Sequence, residues 1–205
     1  GHAAIAAGLP IALAILVVTT LVLLWLMTGS VVLPIKALVM SFLTLGVTTG
    51  VLVLVFQDGR FESLLGYTSQ GGIEEADFLV LAAIAFAIST DYGVFVLGRI
   101  KEAHDRGVSQ PWAITTGIGA TGRLVSAAAV LLAVAMGAFA TSQIVFLKEI
   151  GVGAVVAVLV DAFIVRAFLV PSLMALLGSA NWWSPRVLRR LHARVGLSEA
   201  VPAAA

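Results

Sequence analysis

Five separate runs of apolar residues, each long enough to cross a bilayer, constrain this chain more than any other feature. A membrane-crossing helix needs about 20 predominantly apolar residues. Stretches at about 9–27, 31–56, 78–97, 124–141 and 150–177 meet that requirement. Backbone amides in lipid find no water, so each run has to satisfy its own hydrogen bonds and is expected to be helical. None shows the apolar–polar alternation of a barrel strand. Composition points the same way: 60% of the 205 residues are hydrophobic and 11% are charged, against about 25% charged in soluble domains. The expected fold is all-α, a polytopic transmembrane helix bundle of five spans over residues 1–178, followed by a tail at 179–205.

The connecting segments carry charge unequally. Residues 57–77 hold one base, Arg60, and five acids, Asp58, Glu62, Glu74, Glu75 and Asp77. Residues 98–123 hold four bases, Arg99, Lys101, Arg106 and Arg123, and the tail holds four more, Arg186, Arg189, Arg190 and Arg194. Basic segments stay on the cytoplasmic side of a membrane. This sorting puts the N-terminus outside and the C-terminus in the cytoplasm. At about 100° per residue, the four tail arginines share one side of a helix and Val187, Leu188, Leu191 and Val195 share the other. With Trp182 and Trp183 just ahead, the tail reads as an amphipathic helix lying on the inner leaflet. A docking site for a cytoplasmic partner is the alternative. Gly46–Gly50 and Ala133–Gly137 place small residues four apart, a spacing that lets helices approach closely.

Several functions are set aside by what the chain lacks. A net charge of +1 gives no sign of nucleic-acid binding. Without cysteine there are no thiolate ligands or nucleophiles. His2, His104 and His192 fall outside the apolar runs, and no HExxH or GxSxG motif occurs. No metal or cofactor site is expected, and a membrane-embedded enzyme using Asp91 and Asp161 as an acid/base pair is disfavoured.

Charge inside a span is costly, so each such residue is informative. Asp91 lies eight residues before Arg99, about 12 Å along a helix. Its helical neighbours three and four residues away are Ala87, Ile88, Val94 and Phe95. It must meet a partner on another helix, meet water or take up a proton, which makes it a candidate proton carrier. Tyr92 points about 100° away, and its phenol can donate or accept a hydrogen bond to a different neighbour. Asp161 and Arg166 are five residues apart. On a regular α-helix that is about 140°, too far for an intrahelical ion pair; either can pair with a different helix and hold the bundle together, and Arg166 can also reach toward the cytoplasmic interface. Arg123 precedes the fourth run and Ser126 is one turn in; Arg123 either neutralises Asp91 or Asp161 from the side or anchors the helix at the inner surface. Lys36 is expected to snorkel to the inner interface. Lys148 and Glu149 flank the outer start of the fifth run.

The run Ser89-Thr90-Asp91-Tyr92-Gly93-Val94-Phe95, continuing to Gly98-Arg99-Ile100-Lys101-Glu102, resembles the tenth transmembrane helix of the MmpL family. These are mycobacterial-membrane-protein-large-type transporters of the resistance–nodulation–division (RND) superfamily. The resemblance continues through Thr121-Gly122-Arg123, Leu147-Lys148-Glu149-Ile150-Gly151, Asp161-Ala162-Phe163-Ile164-Val165-Arg166 and Asn181-Trp182-Trp183-Ser184-Pro185. It covers roughly residues 30–188 in order and spacing. By this resemblance the five runs are spans eight to twelve, and the eighth span follows an extracytoplasmic porter domain. The resemblance implies that Asp91 and Tyr92 relay protons together with an Asp-Tyr pair on a fourth span, in an N-terminal half that this chain does not include. Gly93 stands where an acidic residue often follows the Tyr, which lowers local polarity and leaves the pair intact.

The function implied is the membrane domain of a proton-motive-force-driven exporter of lipids or other hydrophobic molecules in the plasma (inner) membrane. Protons are the coupling ion and no cofactor is needed. Arg123, Ser126, Asp161 and Arg166 are supporting polar residues. The partners implied are membrane lipids, a hydrophobic or lipid substrate, the N-terminal half and a second copy in a homo-oligomer. Drug or antibiotic efflux by the same machinery and a non-transporting membrane scaffold are the alternatives.

Overall fold

A computed structural model describes residues 2–68, 72, 75–107 and 109–196. Glu74 of the acidic segment and residues 197–205 of the tail lie outside the described residues. Among those described, every regular element is helical. The α-helices are α1 (His2–Thr28), α2 (Val32–Leu52), α3 (Glu62–Leu65), α4 (Glu75–Asp105), α5 (Gln110–Gly137), α6 (Val145–Leu159), α7 (Val170–Leu177) and α8 (Arg186–Val195). Two π-helical segments, Val53–Gln57 and Val160–Leu169, prolong α2 and α6. Five helical stretches are long and apolar enough to cross a membrane: Ile11–Thr28, Val32–Gln57, Asp77–Asp105, Pro111–Thr141 and Val145–Trp182. The chain is thus an all-α, multi-pass membrane protein. It divides into two compact units, Gly1–Leu38 with Leu177–Ala205, and Val39–Leu176.

The first unit is organised around the turn between α1 and α2. Ile11, Ile15 and Val18 on α1 are all exposed, as expected of a helix whose solvent is lipid. Gly29 makes the turn with φ +69°, and a Cβ there would sit 3.0 Å from the His192 ring, so both conformation and space call for glycine. Ser30 caps α2, its hydroxyl oxygen accepting from the amides of Val32 (3.1 Å) and Leu33 (3.3 Å). The same hydroxyl donates to the Asn181 carbonyl at 2.6 Å. Lys36, expected to snorkel to the inner interface, has its head group at Asn181, by the end of the last spanning-length stretch. Its Nζ donates to Asn181 Oδ1 at 2.5 Å, because a fixed amide acceptor lies within reach of its stem.

The second unit packs α4, α5 and α6 against one another. Leu52, Val55, Phe56 and Leu81 form a buried cluster at one end. The expectation for the fourth span needs correction, since its helix begins at Gln110 and not near residue 124. Gly117 in this stretch serves a helix crossing. A Cβ there would lie 2.6 Å from Ile100 Cγ1 and 3.0 Å from its Cα, so only glycine admits α4 this close. Arg123 is consequently in the middle of α5, on an exposed face. The expected small-residue contact at Gly46–Gly50 is not made in this chain: a Cβ at either would meet nothing within 4 Å. Gly151, by contrast, faces the Met136 carbonyl and the Ala140 amide, where a Cβ would come within 2.9 Å and 2.8 Å.

Candidate functional site

The apolar interior of the second unit holds a small polar cluster contributed by α2, α4 and the π-helical segment Val160–Leu169. Ser41 and Thr44 lie on the buried face of α2, with Thr48 a turn further on. From α4 comes Ser89, also buried. From the π-helical segment come Asp161 and Arg166, both buried.

Asp161 and Arg166 form an ion pair on their own helix, contrary to the expectation from their spacing. Arg166 Nε donates to Asp161 Oδ2 at 2.5 Å. The expectation assumed α-helical geometry. A π-helical turn hydrogen-bonds residues five apart and so brings them onto one side. Pro171, which has no N–H to donate, follows just beyond this segment and further breaks the regular hydrogen-bond pattern. The second carboxylate oxygen, Oδ1, accepts from the Ser89 hydroxyl at 2.7 Å. With the Ser89 proton so committed, the Ser41 hydroxyl at 3.0 Å acts as donor to Ser89 Oγ. Thr44 adds another buried hydroxyl beside Asp161. Arg166 Nη2 donates to the Ser89 carbonyl. The buried charges are therefore paired and hydrogen-bonded on several sides, the condition under which burial of ions is tolerated.

Arg166 also links this cluster to the Asp91-Tyr92 pair. Its Cζ lies over the Tyr92 ring at 5.5 Å from the centroid, a cation–π arrangement. A Cβ added at Gly93 would lie 3.6 Å from Arg166 Nη1, in ordinary van der Waals contact, so Gly93 too faces the guanidinium. Ser89, Tyr92 and Gly93 thus share the side of α4 that meets Arg166. Asp91, at about 200° from Ser89 on the helix, is exposed and has no hydrogen bond or ion pair among the described residues. The structure thus separates the two members of the pair. Tyr92 is held from within the bundle, whereas Asp91 presents its carboxylate outward.

Arg123 and Ser126 do not join the cluster. Arg123 makes no ion pair among the described residues, so it neutralises neither Asp91 nor Asp161. Ser126 is half-buried on α5.

A model of the family described as MMPL matches residues 2–202. The chain belongs to the MMPL family. It is 48% identical over 193 residues to the trehalose monomycolate exporter MmpL3 of Mycobacterium tuberculosis, covering 94% of this chain and 20% of that protein. The MmpL3 of Mycolicibacterium smegmatis is 48% identical over 191 residues, 93% of this chain and 19% of that protein. The mycolic acid-containing lipids exporter MmpL11 of the same species is 31% identical over 198 residues, 97% of this chain and 21% of that protein. The chain therefore spans about a fifth of the length of these MMPL relatives, which are RND-type proteins.

Several residues of this MMPL chain went unmarked in the sequence although their pattern is visible there. Ser41, Thr44 and Thr48 fall at i, i+3 and i+7 in an otherwise apolar run, one helical face. Lys148 and Glu149 were read as flanking charges, but both are buried. Lys148 Nζ donates to the Gly66 carbonyl at 2.8 Å and to that of Leu65, satisfying the C-terminal end of α3. The Tyr67 hydroxyl donates to the Val55 carbonyl. Burial, and then Glu62 and Glu149, push the Tyr67 phenol above its ordinary range.

Proposed function

We propose that this chain is the part of a proton-driven lipid exporter that carries one half of an intramembrane proton relay, Asp91 and Tyr92. The observation that carries the reading is the outward-facing carboxylate of Asp91 on a spanning helix, beside a Tyr92 fixed under Arg166. An ionised carboxylate is costly in lipid. It is suited to a position where it is alternately charged against a partner and neutral after proton uptake. Arg166, held by Asp161 and Ser89, is a positioning residue that fixes the Tyr92 ring. The facing partner is an Asp-Tyr pair on a span outside this chain.

Protonation of Asp91 removes a charge from the helix surface and changes which helix contacts are favourable, biasing a movement of α4 against its neighbour. The cargo class is a lipid or similarly hydrophobic molecule, a reading supported by relatives described as exporters of trehalose monomycolate and of mycolic acid-containing lipids. The orientation that fits is N-terminus outside and C-terminus in the cytoplasm of the plasma membrane. The α4–α5 hairpin, with Arg99, Lys101 and Arg106, is then on the cytoplasmic side. The test is Asp91→Asn in the full-length protein, expressed in cells that depend on it for lipid export. Loss of export with normal membrane insertion is expected, and undiminished export overturns the relay.

A further inference from the structure

We propose that α8 is an anionic-lipid-binding element whose roll is set by His192, so that Arg190 and Arg194 meet lipid phosphates at the edge of a buried apolar stripe. This role of α8 does not depend on proton coupling. His192 holds α8 against the end of α1. His192 Nε2 lies 3.0 Å from the Leu26 carbonyl, near the C-terminal end of α1. Its ring stands edge-on to Trp25 at 5.7 Å, and it fills the space over Gly29. Leu188, one turn earlier on the same side, is half-buried.

That contact fixes what the rest of the helix faces. With Arg186 at 0° and about 100° per residue, Leu188 and His192 fall near 200° and 240°. Val187, Leu191 and Val195 fall at roughly 100°, 140° and 180°. These three are 77%, 47% and 56% exposed, and Trp183 just before the helix is 58% exposed. The apolar stripe is therefore not the docked edge; it lies beside it, open. On its other flank are Arg194 and Arg190, at about 80° and 40°.

An open apolar stripe with a bordering tryptophan and basic residues has one well-matched occupant, the boundary between acyl chains and headgroups. The apolar residues enter the acyl region, and the two flanking arginines reach the phosphates. Connectivity places α8 there, since it starts at Arg186, just after the last spanning-length stretch ends at Trp182. Charge selects the lipid: residues 178–198 contain four arginines and no acid, so anionic headgroups are favoured over zwitterionic ones.

The chain has no cysteine, so a single introduced thiol can be labelled without background. Leu191→Cys and Ala193→Cys, each carrying an environment-sensitive fluorophore, are compared in the full chain. Vesicles of phosphatidylcholine alone are set against vesicles containing phosphatidylglycerol. The expected result is that the label at 191 is quenched by acyl-chain quenchers and protected from aqueous iodide, more so with phosphatidylglycerol, while the label at 193 stays open to iodide. Arg190→Gln and Arg194→Gln should each shift the lipid-to-water partition of the 191 label by about fivefold in phosphatidylglycerol vesicles only. Equal iodide access at 191 and 193 in both vesicle types overturns the proposal and leaves a protein as the occupant of this face. Burial of the 191 label with no dependence on phosphatidylglycerol or on the two arginines overturns the anionic-lipid assignment.

Discussion

Asp161 and Arg166 meet at 2.5 Å on one helix although five residues separate them. The π-helical register of Val160–Leu169 makes this possible. It places a buried ion pair where a regular α-helix would have turned the two side chains about 140° apart. The pair in turn sets the Arg166 guanidinium over Tyr92.

Removing one member of such a pair leaves an uncompensated charge in an apolar interior. Arg166→Met should destabilise the chain by about 3–5 kcal/mol. Asp161→Asn combined with Arg166→Met should cost much less than the two single changes added together. Unfolding of the four proteins in detergent micelles gives the coupling energy. Additive effects would show that the pair does not act as a unit.

Ser89 is the connection between Asp161 and the hydroxyl of Ser41. Ser89→Ala removes the donor to Asp161 Oδ1 and orphans the Ser41 hydroxyl. A loss of about 1–3 kcal/mol is expected. Ser41→Ala, which leaves the bond to Asp161 in place, should cost less. The same unfolding measurement ranks the two, and the reverse order would contradict the direction of donation from Ser41 through Ser89 to Asp161.

Glycines in two of the spanning helices have different roles here. Gly117→Ala must displace Ile100, backbone included, and should cost about 1–3 kcal/mol. Gly46→Ala and Gly50→Ala meet nothing within 4 Å and should not destabilise this chain, with a gain of up to about 1 kcal/mol from helix propensity. Thermal unfolding of the three variants side by side decides the matter.

Lys148 ties the segment around α3 to the start of α6. Lys148→Met removes the donor to the Leu65 and Gly66 carbonyls, and amides at 62–67 should exchange faster with solvent deuterium. The raised Tyr67 phenol adds a pH dependence. Its contribution is complete below the ordinary value of 10.0 and is lost as pH rises above it, because the unfolded chain ionises first. With Lys148 in place, protection of 62–67 relative to the intrinsic exchange rate is therefore expected to fall only above that value. Exchange that does not respond to Lys148→Met would show that the segment is held by other contacts.

The helices were legible because lipid imposes one rule, that a long apolar run satisfies its own backbone. Asp91, Asp161 and Arg166 were legible because ionisable residues are rare in such runs. The ion pair was not legible. A change from α to π register is a property of the backbone, with no separate signature in the spacing of apolar side chains. The start of α5 was not legible because the apolar run begins only near residue 124, whereas the helix already begins at Gln110 and Gly117 allows a close helix crossing. The tail arginines were found by periodicity. The roll of α8 depends on His192 reaching the Leu26 carbonyl across a long sequence separation, which local pattern does not encode.

The proton relay proposed for Asp91 has a direct readout. The most direct measurement is lipid transport by the full-length protein in sealed vesicles, with and without an imposed pH gradient, for the wild type and for Asp91→Asn. If Asp91 carries the proton, the gradient accelerates transport by the wild type and has no effect on the variant. Transport by Asp91→Asn that is as fast and as gradient-dependent as that of the wild type would contradict it.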